Sequence, residues 1–180
     1  MLEEIVVAGF GGQGVMLIGQ ILAYAAVKDG KYATWVPSYG AEMRGGTANC
    51  MCVVSTEKIG SPLVEKPTAF LCLNQPSMDK FGDSVKEGGL VVANKSLVSK
   101  VTARAGVEVV EIPLKDLAKE LGSSQVENMI ILGAFIAKKP IITIEGAVAA
   151  LKAKVGDSKP QVIELNRRAI KAGYDWVMTG

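Results

Sequence analysis

The sequence predicts an α/β fold of three layers, in which helices cover both faces of a mostly parallel sheet and the C-terminal third is helical. Short uninterrupted apolar runs recur along the first two thirds, as in strands that are buried on both faces. The first run passes through a glycine-rich turn into apolar residues at helical spacing, and only helical patterns follow residue 113. This arrangement is Rossmann-like. A chain that is 49% hydrophobic can bury one core, so we expect residues 1–180 to form a single domain.

The first strand, turn and helix are the clearest part of this pattern. Residues 5–8 are all apolar and predict a buried parallel strand. A glycine-rich turn follows at 9–14, and apolar residues then recur at helical spacing from Val15 to Ala26. Gly30 supplies a helix stop. The order is therefore strand, turn, helix.

The remaining elements follow from the same rules. Further strands are predicted at 32–37, 47–54, 68–73, 90–94 and 107–113. The second strand is expected to pair directly beside the first after a right-handed crossover, and the last to lie near an edge because it ends in proline. Helices are predicted from residue 75 and at 114–121, 128–139, 144–155 and 160–178. Thr143 is an expected helix cap, and Asn74 either caps the helix that follows it or points into a crevice at the sheet end.

The charge pattern excludes some classes of partner. The formal net charge is +2, from 20 basic and 18 acidic residues, so no overall field draws the chain to nucleic acid or to an anionic membrane. Residues 5–27 have no charge, but the glycine cluster and Gln13 divide them into a strand and a helix instead of a membrane span. The N-terminus lacks the pattern of a secretory leader, so we expect a cytoplasmic location.

The cysteine and histidine content limits the chemistry of the chain itself. Cys50, Cys52 and Cys72 are odd in number and form no C-x-x-C motif, which argues against a disulfide framework or a cluster site. Cys50 and Cys52 would face the same side of a strand as small core residues. The absence of histidine excludes histidine-based triads and most zinc sites. We therefore predict no metal site here, and no catalytic residue can be named.

The turn at 9–14 is the first candidate for ligand binding. Gly9, Gly11 and Gly14 match the G-x-G-x-x-G spacing, and the first N–H groups of the following helix are free to bind an anion. A tight strand-to-helix turn without a ligand explains the same glycines. A nicotinamide cofactor would also require an acidic residue at the end of the second strand, where Pro37 and Ser38 stand instead, so this interpretation is weakened.

The second candidate is the glycine-rich segment at 38–46. It combines a phenol, a carboxylate and a guanidinium between glycines, in Ser38, Tyr39, Gly40, Glu42, Arg44, Gly45 and Gly46. The planar fork of Arg44 suits a phosphate or a carboxylate, although a surface ion pair between Glu42 and Arg44 is the alternative. Because neighbouring strand ends line one crevice in an open α/β sheet, we expect both glycine loops to face the same ligand or partner.

Taken together, Gly-x-Gly-Gly-Gln-Gly and Ser-Tyr-Gly-x-Glu-x-Arg-Gly-Gly closely resemble the gamma subunit of 2-oxoacid:ferredoxin oxidoreductases. The resemblance extends from residue 3 to about residue 140 and includes Asn128-Met129-x-x-Leu132-Gly133. A short separate chain is most similar to the 2-oxoglutarate branch. Pyruvate, branched-chain 2-oxoacid and indolepyruvate enzymes share these motifs, so the motifs do not define the substrate.

The resemblance implies one subunit of an enzyme that oxidatively decarboxylates a 2-oxoacid to acyl-CoA and reduces ferredoxin. It implies alpha and beta subunits and a ferredoxin-like delta subunit as partners, with thiamine diphosphate, Mg²⁺ and iron–sulfur clusters on them. This chain would be inactive alone and would contribute to the coenzyme A crevice and to assembly. The implied binding residues are Gly9, Gly11, Gly12, Gln13, Gly14, Ser38, Tyr39, Gly40, Glu42, Arg44, Gly45, Gly46 and Asn128.

Within this set the expected roles differ. Gly11, Gly12 and Gly14 would allow close backbone approach, Gln13 would donate or accept a hydrogen bond, and Arg44 would bind a phosphate or carboxylate. Asn128 is equally compatible with a structural role at a helix start. Three alternatives stay open: loops that only dock onto the catalytic subunit, a dinucleotide-dependent oxidoreductase, and a structural assembly subunit. The isolated chain is also expected to self-associate as a two-fold dimer.

Overall fold

The structure is a computed structural model that describes residues 1–38, 47–156 and 158–180. The strands are β1 (Leu2–Phe10), β2 (Tyr32–Ser38), β3 (Thr47–Ser55), β4 (Ala69–Cys72), β5 (Leu90–Asn94) and β6 (Glu108–Ile112). The helices are α1 (Val15–Lys28), α2 (Gln75–Phe81), α3 (Leu114–Glu120), α4 (Glu127–Lys138), α5 (Ile144–Val155) and α6 (Pro160–Thr179). Short 3₁₀ turns occupy Gly82–Ser84 and Ser124–Val126. The predicted elements are thus confirmed, with small shifts at their ends.

The described strands form one sheet in the order β2-β3-β1-β4-β5-β6. β3 is antiparallel to both of its neighbours, whereas the β1–β4, β4–β5 and β5–β6 pairs are parallel. The mostly parallel sheet and the edge position of β6 are confirmed. The prediction that β2 pairs directly with β1 is wrong, because β3 lies between them. A parallel partner needs a crossover of about a dozen residues or more, and the segment at 39–46 is shorter, so β3 returns antiparallel beside β2.

Both faces of the sheet are buried, which confirms the three-layer architecture. Ile5 and Val7 of β1 pack into one core cluster, while Val6 and Ala8 pack into a second cluster on the opposite face. The first cluster includes residues from α1, α3, α4, α5 and α6, and the second includes Met78 of α2. This strict alternation is expected of a central strand covered on both faces.

α4 and α6 cross with their backbones in close contact, at one glycine of each helix. An added Cβ on Gly133 would lie 1.9 Å from the carbonyl oxygen of Ile170, and one on Gly173 would lie 1.8 Å from that of Ile130. Gly133 lies three residues after Ile130, and Gly173 lies three residues after Ile170. Each helix therefore contributes one glycine and one isoleucine carbonyl to the crossing. Only a residue without a side chain permits this approach. Gly133, noted above within a family motif, is thus a packing residue.

The three cysteines are buried, as expected of core residues. Cys50 and Cys52 lie in the first core cluster, and Cys72 lies in the second. Burial raises the pKa of Cys50 to about 11 and that of Cys72 to about 12, and it also raises the pKa of Cys52. The thiols of Cys50 and Cys72 donate to the carbonyl oxygens of Val15 and Asn74, respectively.

These thiols are expected to be unreactive in the folded chain. At pH 7.5, a thiol-disulfide reagent should modify them about a hundredfold or more slowly than after unfolding in urea, because both burial and a raised pKa suppress the thiolate. The absorbance of the released thiol measures the rate, and the urea-unfolded chain is the control. Rapid modification of any one cysteine in the native chain would contradict this expectation.

Candidate functional site

The glycine loop between β1 and α1 has a backbone that requires glycine at two positions. Gly12 has φ +93° and Gly14 has φ +77°, both in the left-handed region that side chains disfavour. Gly14 precedes α1, so the N-terminus of this helix has no capping side chain. A turn hydrogen bond from the N–H of Gln13 to the carbonyl of Phe10 closes the loop at 3.2 Å. The loop therefore presents backbone, not side chains, at the start of the helix.

The side chain of Gln13 folds back onto the protein. Its Oε1 accepts a hydrogen bond from the N–H of Phe10 at 2.6 Å and a longer one from Nδ2 of Asn74 at 3.4 Å. Its Nε2 donates to the carbonyl of Leu73 at 3.5 Å. The carboxamide thus joins the glycine loop to the end of β4. Its expected hydrogen bond to a ligand stays a prediction.

Two buried asparagines stabilise the end of the sheet where β4 and β5 terminate. Oδ1 of Asn74 accepts from the N–H of Ser77 at 2.9 Å, which confirms Asn74 as the cap of α2. Asn94, at the end of β5, donates from Nδ2 to the carbonyl of Leu73 at 3.2 Å and accepts from the N–H of Ser96 at 3.0 Å. The carboxyl ends of β1, β4 and β5 are therefore linked by side-chain amides.

A cavity of about 170 Å³ separates the glycine loop from the N-terminus of α4. It is lined by Gly12, Gln13, Gly14, Leu73, Ser124, Gln125, Glu127 and Asn128. Asn128 is only 5% exposed, and an added Cβ on Gly14 would lie 2.2 Å from its Nδ2. Asn128 therefore lies against the predicted binding loop, although the two are far apart in the sequence.

Asn128 also has an unsatisfied acceptor. Its Oδ1 is buried and has no hydrogen-bond partner among residues 1–38, 47–156 and 158–180. Leaving a buried polar atom unpaired costs about 1–3 kcal/mol, and this oxygen is shielded from solvent as well as from protein donors. The role of Asn128 in ligand binding therefore stays a prediction.

Glu127 is a site residue that the sequence patterns did not indicate. It is the first residue of α4, lines the cavity and is partly buried. Burial raises the pKa of its carboxyl, and the neighbouring Lys115 acts in the opposite direction. The only available signal was its position at a helix start beside Asn128, where acidic residues are common for reasons unrelated to ligands.

The second glycine loop begins at the same edge of the sheet as the first. Ser38 ends β2 opposite Asn49 of β3, and Asn49 in turn lies opposite Ala8 of β1. Thr47, the first residue of β3, pairs with Phe10. Six predicted site residues lie outside the described residues, namely Tyr39, Gly40, Glu42, Arg44, Gly45 and Gly46. The crevice shared by both loops therefore stays a prediction, supported by these anchor points.

Two features are absent from the described ranges of the chain. No group of three or more cysteine, aspartate or glutamate side chains among these residues is placed to hold a metal ion. No helix in the described part of the chain is long and apolar enough to cross a membrane.

Comparison with known proteins identifies the family of the chain. Residues 4–176 match the family profile described as pyruvate ferredoxin/flavodoxin oxidoreductase. The chain belongs to this family. It is 38% identical over 179 residues to the 2-oxoglutarate synthase subunit KorC of Methanocaldococcus jannaschii, covering 97% of this chain and 94% of that subunit. It is 36% identical over 171 residues to the ketoisovalerate oxidoreductase subunit VorA of Methanothermobacter thermautotrophicus, covering 94% of this chain but 35% of that subunit.

Solved structures of this oxidoreductase family share the fold. The gamma subunit of the keto/oxoacid ferredoxin oxidoreductase from Geobacter sulfurreducens superposes with a TM-score of 0.84 at 30% identity, with 99% of both chains covered. A 2-oxoglutarate:ferredoxin oxidoreductase from Magnetococcus marinus, with 2-oxoglutarate, coenzyme A and succinyl-CoA bound, superposes with a TM-score of 0.89 at 25% identity. The chain spans about a third of the VorA and Magnetococcus chains, 35% and 31% of their lengths. The resemblance to gamma subunits is confirmed.

Proposed function

We propose that this chain is the gamma subunit of a 2-oxoacid:ferredoxin oxidoreductase that decarboxylates 2-oxoglutarate, transfers the acyl group to coenzyme A and reduces ferredoxin. The main support is the end-to-end match to a separate 2-oxoglutarate synthase subunit, KorC. The ketoisovalerate relative contains the same domain as about a third of a longer chain. Pyruvate synthase subunit PorC of Thermotoga maritima is also related, at 28% identity, which makes pyruvate the main competing substrate.

The chain would act only within a complex. We assign thiamine diphosphate, Mg²⁺ and the iron–sulfur clusters to partner alpha, beta and delta subunits, because this sequence has neither a thiamine diphosphate motif nor a cluster motif and its three cysteines are buried. Residues 1–180 would form one domain, and the isolated chain would self-associate as a dimer. The cytoplasmic location and the transfer of electrons to ferredoxin through the complex complete this proposal.

The contribution of this chain would be one wall of a coenzyme A crevice. The cavity of about 170 Å³ is smaller than the roughly 300–1,000 Å³ of pockets that enclose whole ligands of this class, so it would hold only part of coenzyme A. Ser38 and Thr47 place both ends of the second glycine loop at the same sheet edge as the first. Arg44 in that segment would bind a coenzyme A phosphate, and partner subunits would enclose the rest.

The test measures the reconstituted complex with methyl viologen as acceptor and a panel of 2-oxoacids. Arg44→Ala is expected to raise the KM for coenzyme A about tenfold, since a charge-assisted hydrogen bond is lost, and to leave the KM for the 2-oxoacid unchanged. Arg104→Ala, which removes an exposed arginine elsewhere, is the matched control. An unchanged coenzyme A dependence would refute the role of Arg44. Weaker subunit assembly with normal coenzyme A dependence would support the alternative in which the two glycine loops only dock onto the catalytic subunit.

A further inference from the structure

A series of hydrogen bonds from side-chain amides connects the end of β5 with the glycine loop. Asn94, the last residue of β5, is fully buried, and its Nδ2 donates to the carbonyl oxygen of Leu73 at 3.2 Å. The same oxygen accepts a longer hydrogen bond of 3.5 Å from Nε2 of Gln13. Oε1 of Gln13 in turn accepts from the N–H of Phe10 at 2.6 Å. One carbonyl oxygen therefore joins Asn94 to the backbone of the glycine loop.

The local turn after β5 does not by itself require an asparagine at position 94. Oδ1 of Asn94 accepts from the N–H of Ser96 at 3.0 Å, and this contact alone makes the turn. Aspartate makes the same kind of turn, but a carboxylate has no N–H that it could donate to Leu73. The donor side of the Asn94 amide therefore serves the contact with the neighbouring strand end, not the turn.

The carbonyl of Leu73 fixes the orientation of the Gln13 carboxamide. β4 ends at Cys72, so this carbonyl lies just beyond the strand and accepts from the two amide donors. If the carbonyl moved, the Gln13 carboxamide would be free to rotate, because its terminal torsion has no sharp minimum, and the bond to Phe10 would be lost. The packing is close here: an added Cβ on Gly9 would lie 2.6 Å from Oε1 of Gln13 and 2.8 Å from Cβ of Leu73.

We propose that Asn94 is a positioning residue for the glycine loop, which it holds in its binding conformation through the Leu73 carbonyl and the Gln13 carboxamide. Asn94 does not line the cavity beside that loop, so it would not touch a ligand there. The inference rests on the proposed function, in which the loop forms one wall of the coenzyme A crevice. Loss of the Asn94 donor should therefore weaken binding although no binding group is removed.

A double-mutant cycle in the reconstituted complex tests this role. Asn94→Leu and Gln13→Leu should each raise the KM for coenzyme A about five- to tenfold, because a hydrogen bond is lost, and should change kcat and the KM for the 2-oxoacid less than about twofold. The double variant should match Gln13→Leu alone, since both substitutions interrupt one series of contacts. Asn166→Leu, which removes an amide bonded to a backbone carbonyl within α6, is the matched control and should change neither KM. If the two single effects multiply in the double variant, the proposal fails.

Hydrogen exchange in the isolated chain, measured by NMR, keeps the test valid if a variant does not assemble. Asn94→Ser lacks the amide donor and should speed exchange of the Phe10 N–H about tenfold, as should Gln13→Leu, while the amides of α5 keep their rates. An unchanged Phe10 rate, or equal acceleration throughout the chain, would overturn the proposal. If the Phe10 rate rises as expected but no variant alters the KM for coenzyme A, the positioning role stands and the proposed function of the loop fails.

Discussion

Gly173→Ala is expected to lower the free energy of unfolding by about 2–4 kcal/mol, although alanine normally stabilises a helix interior relative to glycine by about 1 kcal/mol. The added Cβ would lie 1.8 Å from the carbonyl oxygen of Ile130, and a backbone oxygen cannot rotate away as a side chain can. α6 must therefore move away from α4. This separation would also disturb the buried Ile170 and Ala169.

Urea unfolding followed by circular dichroism measures this change. Gly133→Ala should have a similar effect, since its Cβ would lie 1.9 Å from the carbonyl oxygen of Ile170. Gly146→Ala in α5 is the matched control: the nearest atom to its Cβ is the Thr143 hydroxyl at 3.1 Å, so its effect should be within about 1 kcal/mol of zero. A Gly173→Ala chain as stable as the Gly146→Ala chain would contradict the close backbone crossing.

Gly14→Ala is expected to reduce kcat/KM for coenzyme A in the assembled complex about a hundredfold. Two effects combine at this position. A side chain at φ +77° costs about 1–2 kcal/mol, and the Cβ would lie 2.2 Å from Nδ2 of Asn128. Asn128 must then move, which changes the shape of the cavity that it lines. Displacements of about 1 Å at a binding site can have an effect of this size.

Gly30→Ala separates these two effects. Gly30 also has φ +77°, but no atom lies within 4 Å of its added Cβ, and it follows α1 at the end remote from the cavity. Thermal unfolding of Gly30→Ala measures the stability lost to backbone strain alone, and Gly14→Ala should lose at least as much, while only Gly14→Ala should lose activity with coenzyme A. Equal kinetic losses in the two variants would show that the effect is global destabilisation and not closure of the cavity.

Elements with local causes were predictable from the sequence. Thr143 caps α5 through a 2.9 Å bond from the N–H of Gly146, and Asn74 caps α2 in the same way. Such caps depend on residues within one turn, so the sequence pattern contains all the information required. The order of strands was not predictable to the same degree. The position of β3 between β1 and β2 depends on pairing between distant segments, and the apolar runs are the same for either arrangement.

The candidate site also has one part that the sequence could predict and one part that it could not. The sequence alone determined the strand, the glycine turn and the helix after it. Left-handed backbone at Gly12 and Gly14 favours glycine at both positions, so the turn is visible in the residue types themselves. Only the tertiary structure decided that Glu127 and Asn128 form the other wall of the cavity and that the side chain of Gln13 turns inward to Leu73. Those contacts join segments far apart in the chain. They depend on how α4 packs against the sheet, and no local pattern encodes that packing.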